Sequence, residues 1–209
     1  MKTNPNFLSS MILLAGIAVA SSSYATTAPG TITAFDNINP EADFSIRYKS
    51  WSDPAFGDLG WTHTSKWGSF TAEAGQLVTL TMQADDAGIH PGSTVWFRGD
   101  DDTAADTYVP DHVYSENATQ FKYGAVDETT GAAVGNIVMR YVIHGYDQDA
   151  NTVKNKKLRG ITDKVNGRLV FKFKAPYSGS YIFVVGGINP DPMIDPTVGH
   201  NVKVKVVVK

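Results

Sequence analysis

Polar and apolar residues alternate along Leu77-Val78-Thr79-Leu80-Thr81-Met82 and again along Val202-Lys203-Val204-Lys205-Val206. That period of two is the mark of a strand with one dry face and one wet face. Further short runs rich in Val, Ile, Thr, Tyr and Phe predict strands over 44–48, 68–72, 77–84, 93–98, 137–144, 168–174, 180–186 and 201–208. Nineteen glycines and ten prolines in the chain supply the breaks between them. No long stretch carries a helical period of 3.6, so the pattern predicts an all-β fold, an antiparallel β-sandwich with long irregular loops.

Two segments break the strand pattern. The first, residues 99–116, holds Asp100, Asp101, Asp102, Asp106, Asp111 and Glu116, with Pro110 and His112 among them. A polar loop of that length in a compact domain is more often functional or disordered than idle. Its oxygen ligands make Asp100, Asp101, Asp102 and Asp106 a candidate calcium site, set against a plain solvated loop. The second, residues 145–160, contains Asp147-Gln148-Asp149-Ala150-Asn151. This resembles the start of an EF-hand loop, but Thr152 stands where the glycine belongs and Leu158 where the closing glutamate belongs, so it is not one.

At the N-terminus, Lys2 precedes an apolar run from Phe7 to Ala20, followed by Ser21-Ser22-Ser23-Tyr24-Ala25. A basic start, an apolar stretch too short to span a bilayer and a small-residue end read as a secretory signal over 1–25, with Ser23-x-Ala25 as the cleavage site. Residues 26–209 then form a single exported domain beginning at Thr26, large enough for a substantial core of its own. No other stretch is apolar over the length of a membrane helix, which predicts a soluble or peripherally attached protein. The absence of cysteine removes disulfides, thiolate metal clusters and cysteine nucleophiles. A formal charge of -3 lacks the basic excess that nucleic-acid binding requires.

The candidate chemistry lies in Gly60-Trp61-Thr62-His63-Thr64-Ser65-Lys66-Trp67. In an extended strand the indole of Trp61 and the imidazole of His63, two positions apart, project to the same side. Imidazole suits copper, zinc, iron and nickel, and copper held beside an indole in air can oxidise that ring. The competing reading makes Trp61 and Trp67 core or rim aromatics and His63 a hydrogen-bonded histidine. Among the other histidines, His90, His144 and His200 sit in turns or at strand ends and read as surface or hydrogen-bonded residues. His112 stands in Val109-Pro110-Asp111-His112-Val113-Tyr114, where proline stiffens the backbone and Asp111 or Tyr114 could orient the ring.

The Trp-Thr-His at 61–63, followed 49 positions after His63 by the loop histidine His112, resembles the copper-binding surface proteins of methanotrophic bacteria, the family of CorA and the secreted C-terminal part of MopE. The histidine spacing is closer to the CorA branch. The resemblance implies Cu(I) held by the imidazoles of His63 and His112 and by the aromatic amine of a kynurenine formed from Trp61. Such a donor set satisfies a filled-shell ion without cysteine. It also implies a secreted or outer-membrane-surface protein that is not itself an enzyme and that scavenges or delivers copper. A surface dihaem cytochrome c peroxidase is the companion it suggests. A carbohydrate-binding or adhesin-type β-sandwich is the rival, with Trp51, Trp61, Trp67 or Trp96 as stacking platforms. A histidine-brace oxidase would need an N-terminal histidine where Thr26 is expected, and no Gly-x-Ser-x-Gly elbow marks a hydrolase.

Overall fold

A computed structural model describes residues 24–27, 32–53, 60–86, 88–110, 115–147, 164–188, 194–195 and 197–209. Among the described residues every regular element is a strand: β1 (Tyr24–Thr27), β2 (Thr33–Ala34), β3 (Glu41–Ile46), β4 (Lys66–Ala72), β5 (Leu77–Ala84), β6 (His90–Phe97), β7 (Tyr108–Pro110), β8 (Gln120–Asp127), β9 (Ala133–Tyr146), β10 (Arg168–Lys174), β11 (Gly179–Ile188) and β12 (His200–Val208). They build an eight-stranded sheet in the order β2-β4-β11-β6-β9-β8-β1-β7 and a four-stranded sheet in the order β10-β5-β12-β3. The smaller sheet is antiparallel throughout. The larger is not, because β2 joins β4 and β1 joins β8 in parallel, a departure from the antiparallel expectation confined to two very short strands.

The smaller sheet follows its sequence pattern. Val78, Leu80 and Met82 of β5 and Val202, Val204 and Val206 of β12 are buried, while Lys203 and Lys205 between them are exposed. The larger sheet is buried on both faces at its centre, along β6 and β11, which is why β11 reads Tyr-Ile-Phe-Val-Val without alternation. Tyr181, Phe183 and Val185 point into the core between the sheets with Phe70, Val95 and Phe97. Ile182 and Val184 point the other way, into a second core with Trp51, Trp61, Trp67, Trp96, Ile137 and Met139. All four tryptophans therefore lie on the outer face of the larger sheet, beneath chain that folds back over it.

Glycines make room for that covering chain. A Cβ on Gly92 would sit 2.3 Å from the Trp51 ring, and one on Gly186 would sit 2.8 Å from the Trp51 Cβ. Trp51 is thus seated in a notch at the end of β6 and β11, its backbone N–H donating to the Gly187 carbonyl at 3.2 Å and its indole N–H to the Thr94 hydroxyl at 3.0 Å. The Thr94 hydroxyl donates in turn to Asn117 Oδ1 at 2.6 Å, and Asn117 Nδ2 donates to the Ser52 carbonyl at 2.8 Å. This buried relay ties 51–52 and 117 to β6.

Candidate metal centre

Trp61 is extended for one residue only, bridging Trp51 on one side and Ser115 on the other. Gly60 makes this approach feasible: its φ is +95°, and a Cβ there would fall 2.0 Å from the Ser115 carbonyl oxygen. Beyond Trp61 the chain turns. The Thr62 carbonyl accepts the Ser65 N–H at 3.1 Å, the Thr62 hydroxyl accepts the Thr64 N–H at 3.2 Å, and the Ser65 hydroxyl donates to the Ser50 carbonyl at 2.6 Å.

The expectation that Trp61 and His63 share the face of a strand therefore does not hold. Local hydroxyl-to-backbone bonds compete with the strand and win at Thr62-His63-Thr64-Ser65. The result separates the two environments. Trp61 is 0% exposed, whereas His63 stands exposed on the turn, with no hydrogen-bond partner among the described residues. An imidazole held by its backbone on a pinned turn, with both nitrogens available, suits metal ligation.

The Trp61 ring packs edge-on against Trp67 at 4.7 Å between centroids and 86° between planes, and Trp67 stacks on Trp96 at 5.8 Å and 23°. The indole N–H groups of Trp51 and Trp96 are satisfied, the latter by the Ala118 carbonyl at 2.7 Å. Those of Trp61 and Trp67 are buried and have no partner among the described residues. An orphaned buried N–H costs about 1–3 kcal/mol, and such groups in native proteins call for an explanation.

His112 falls within 111–114, outside the described residues. Its flanks are placed: Pro110 ends β7, paired with Ala25 of β1, and Ser115 is bridged to Trp61. The three other histidines each have an acidic neighbour: His90 is buried against Asp147 at 3.0 Å, His144 lies 3.7 Å from Asp53, and His200 lies 3.3 Å from Asp86.

Two readings are corrected. Of the four aspartates assigned to calcium, Asp102 pairs with buried Arg98 and accepts the Val138 N–H, and Asp101 pairs with Arg140 at 3.1 Å. Asp100 and Asp106 are exposed, and no group of three or more metal-capable side chains forms among the described residues. Arginine has taken the charge a cation would need. The stacking-platform reading also fails, because all four tryptophans are at most 1% exposed and offer no face to a sugar. The residues that sequence reasoning missed are Gly60, Ser115, Thr94 and Asn117. Only Gly60 carried a signal, as a glycine directly before the motif.

Fold and site together define a β-sandwich that carries a histidine-bearing turn above a buried tryptophan cluster on the outer face of its larger sheet. The family model described as copper(I)-binding protein, CorA-like, matches residues 23–195, and the chain belongs to that family. It is 32% identical to CorA of Methylomicrobium album BG8, described as a surface-associated copper-binding protein important in that organism's copper acquisition; the match covers 88% of this chain and 100% of that one, with a TM-score of 0.74. The Methylococcus capsulatus secreted protein MopE, described as binding copper with the help of an oxidised tryptophan, is 20% identical over 90% of this chain and 94% of that one, with a TM-score of 0.64, and shares the fold. No curated protein matches the chain.

Proposed function

We propose that this protein binds copper as Cu(I) at the cell exterior, for scavenging or delivery rather than catalysis, through His63, His112 and a kynurenine formed from Trp61. The observation that carries the reading is the bridge between Trp61 and Ser115. Three peptide units separate Ser115 from His112, so their Cα atoms are at most about 11 Å apart. That bound allows the second histidine to approach the turn that bears the first, and so supports the reading. The unpaired N–H of Trp61 supports the same reading, since conversion to kynurenine replaces a buried donor that cannot ligate with an aromatic amine that can.

Export through the 1–25 leader, peripheral association with the outer membrane and a surface dihaem cytochrome c peroxidase as companion belong to this proposal on the strength of the resemblance. Strand β1 begins at Tyr24, so cleavage after Ala25 would leave Thr26 and Thr27 to hold its pairing with β7.

Metal analysis, Cu(I) competition titration and intact mass of the secreted protein test the proposal. One copper per chain is expected, with a mass change that exchanges one carbon for one oxygen, mapped to Trp61. His63→Ala and His112→Ala should each weaken binding by more than the roughly 10–100-fold that loss of a supporting residue costs. Trp61→Phe should bind more weakly and lack kynurenine absorbance. Unchanged affinity in both histidine variants would remove the site.

A further inference from the structure

We infer that Trp61, Trp67, Trp96 and Tyr141 form an electron-transfer chain that connects the buried tryptophan beside the His63 turn to the protein surface. The first two steps are ring-to-ring, at 4.7 and 5.8 Å between centroids, with all three indoles at most 1% exposed. The third crosses from β6 to β9, where Trp96 and Tyr141 are register partners beside the bulge that shifts the pairing between Val95 and Trp96, so that this step is cross-strand rather than ring-to-ring. Both belong to the outer face: Trp96 packs in the second core, and Tyr141 continues the alternation of Ile137 and Met139, which pack there too. Directly opposed residues hold their Cβ atoms about 4.5–5.5 Å apart. Tyr141 is 40% exposed and so ends the chain in solvent.

The chemistry of the two ends differs in a way that suits transfer. An oxidised phenol is a strong acid and must lose its proton. Tyr141 Oη lies 3.0 Å from His144 Nδ1, and His144 Nε2 lies 3.7 Å from the buried Asp53 carboxylate. When a strong one-electron oxidant takes an electron from Tyr141, the phenolic proton passes to Nδ1, and Asp53 stabilises the imidazolium. An electron from Trp96 then restores the phenol, with the proton returned; this step is uphill, and capture of the vacancy by dissolved dioxygen at Trp61 is what draws it inward through Trp67. Among the described residues no acceptor faces the indole N–H of Trp61 or Trp67, and at Trp96 only a backbone carbonyl does, so no described group traps these radical cations by taking a proton. Run in reverse, the chain drains an oxidising equivalent generated at Trp61 to the surface, where an external reductant quenches it. Only the meaning of the inner end rests on the copper reading.

The test uses the full secreted chain produced without copper, so that Trp61 is unmodified, and a flash-generated tris(bipyridine)ruthenium(III) complex, a one-electron oxidant too bulky to reach a fully buried ring. Oxidation of Trp61, read by peptide mapping, and a transient tyrosyl radical are expected in the parent protein. Tyr141→Phe and Trp67→Phe should each cut Trp61 oxidation at least several-fold, and His144→Gln should slow tyrosyl radical formation. Tyr177→Phe removes a phenol of similar exposure that packs on Phe97, away from the chain, and should change nothing. Unfolding midpoints identify any variant that has lost the fold, and Tyr141→Phe, at an exposed position, keeps the test decisive. Equal Trp61 oxidation in parent and Tyr141→Phe, or none in the parent, overturns the chain. Because no copper is present, that result stands apart from failure of the metal site, which the titration of His63→Ala reads separately.

Discussion

Gly60→Ala is expected to destabilise the protein by on the order of 3–5 kcal/mol and to weaken copper binding while leaving every proposed ligand in place. Two costs combine. A side chain at φ +95° is strained by about 1–3 kcal/mol. The added Cβ would also lie 2.0 Å from the Ser115 carbonyl oxygen and 2.7 Å from Asn117 Oδ1, and the nearer of these is backbone that no rotamer can clear. The chain must separate there, which breaks the bridge that sets Trp61 beside Ser115. In a domain of this size each kcal/mol moves the midpoint by about 2–4 °C, so a fall of on the order of 10 °C should be seen in thermal unfolding. Gly75→Ala isolates the first cost, because Gly75 has φ +89° and nothing within 4 Å of the added atom. If Gly60→Ala costs no more than Gly75→Ala, close approach to Ser115 is not what holds the corner together.

Strands with one wet face were legible because their period is written in the chain. Leu77–Ala84 and Arg168–Lys174 begin and end where the sequence pattern predicts. The central strands of the larger sheet were legible as apolar runs but with different limits: β9 extends to Ala133–Tyr146, and β6 begins at His90, with Pro91 tolerated near the strand's start. The short β1, β2 and β7 carry no period at all, since two to four residues cannot show one, and their pairing is set by the sheet they join. Strand β8 was missed for another reason. Gly124 at φ +61° and register shifts at Lys122 and Ala125 interrupt its alternation.

The site was legible by composition and misread in geometry. Trp61, His63 and His112 stand out as residue types, and Trp61 and His63 do fall at one corner of the fold. The inference from two-residue spacing required an extended backbone at 61–63, and Thr62, Thr64 and Ser65 close a turn there instead. Nor does the sequence reveal that the larger sheet is dry on both faces at β6 and β11. Four tryptophans read alone suit a sugar-binding surface as well as a second core. What decides for the core is the edge-on packing of Trp61 against Trp67, which stacks on Trp96, together with the glycine notch that receives Trp51.

Arg98→Met should cost about 3–5 kcal/mol at neutral pH, and the cost should depend on pH in a direction that identifies its cause. Arg98 and Asp102 are 2% and 4% exposed at their side chains, with Nε 2.5 Å from Oδ2, although the Nε N–H is not aimed at an acceptor. Nη2 donates to Asp102 Oδ1 at 3.0 Å, Nη1 donates to the Tyr108 carbonyl at 3.0 Å, and the Val138 N–H donates to Oδ2 at 2.8 Å. The pair therefore joins β6, β7 and β9 just before the segment that carries His112. Burial pushes the Asp102 carboxyl above its usual 3.8, and Arg98 is the largest influence holding it down. Without Arg98 that carboxyl rises further. A folded-state value raised above the unfolded one gives stability that is present below the unfolded value and lost as pH climbs through the folded one. Urea unfolding across a pH series should accordingly show the smallest deficit for Arg98→Met near pH 4 and a widening deficit toward neutrality. Arg98→Met combined with Asp102→Leu should recover much of the loss, because replacing both members of a buried pair spares the uncompensated charge. A deficit that is flat with pH and unchanged in the double variant would show that lost packing, not the stranded carboxylate, is what Arg98 prevents.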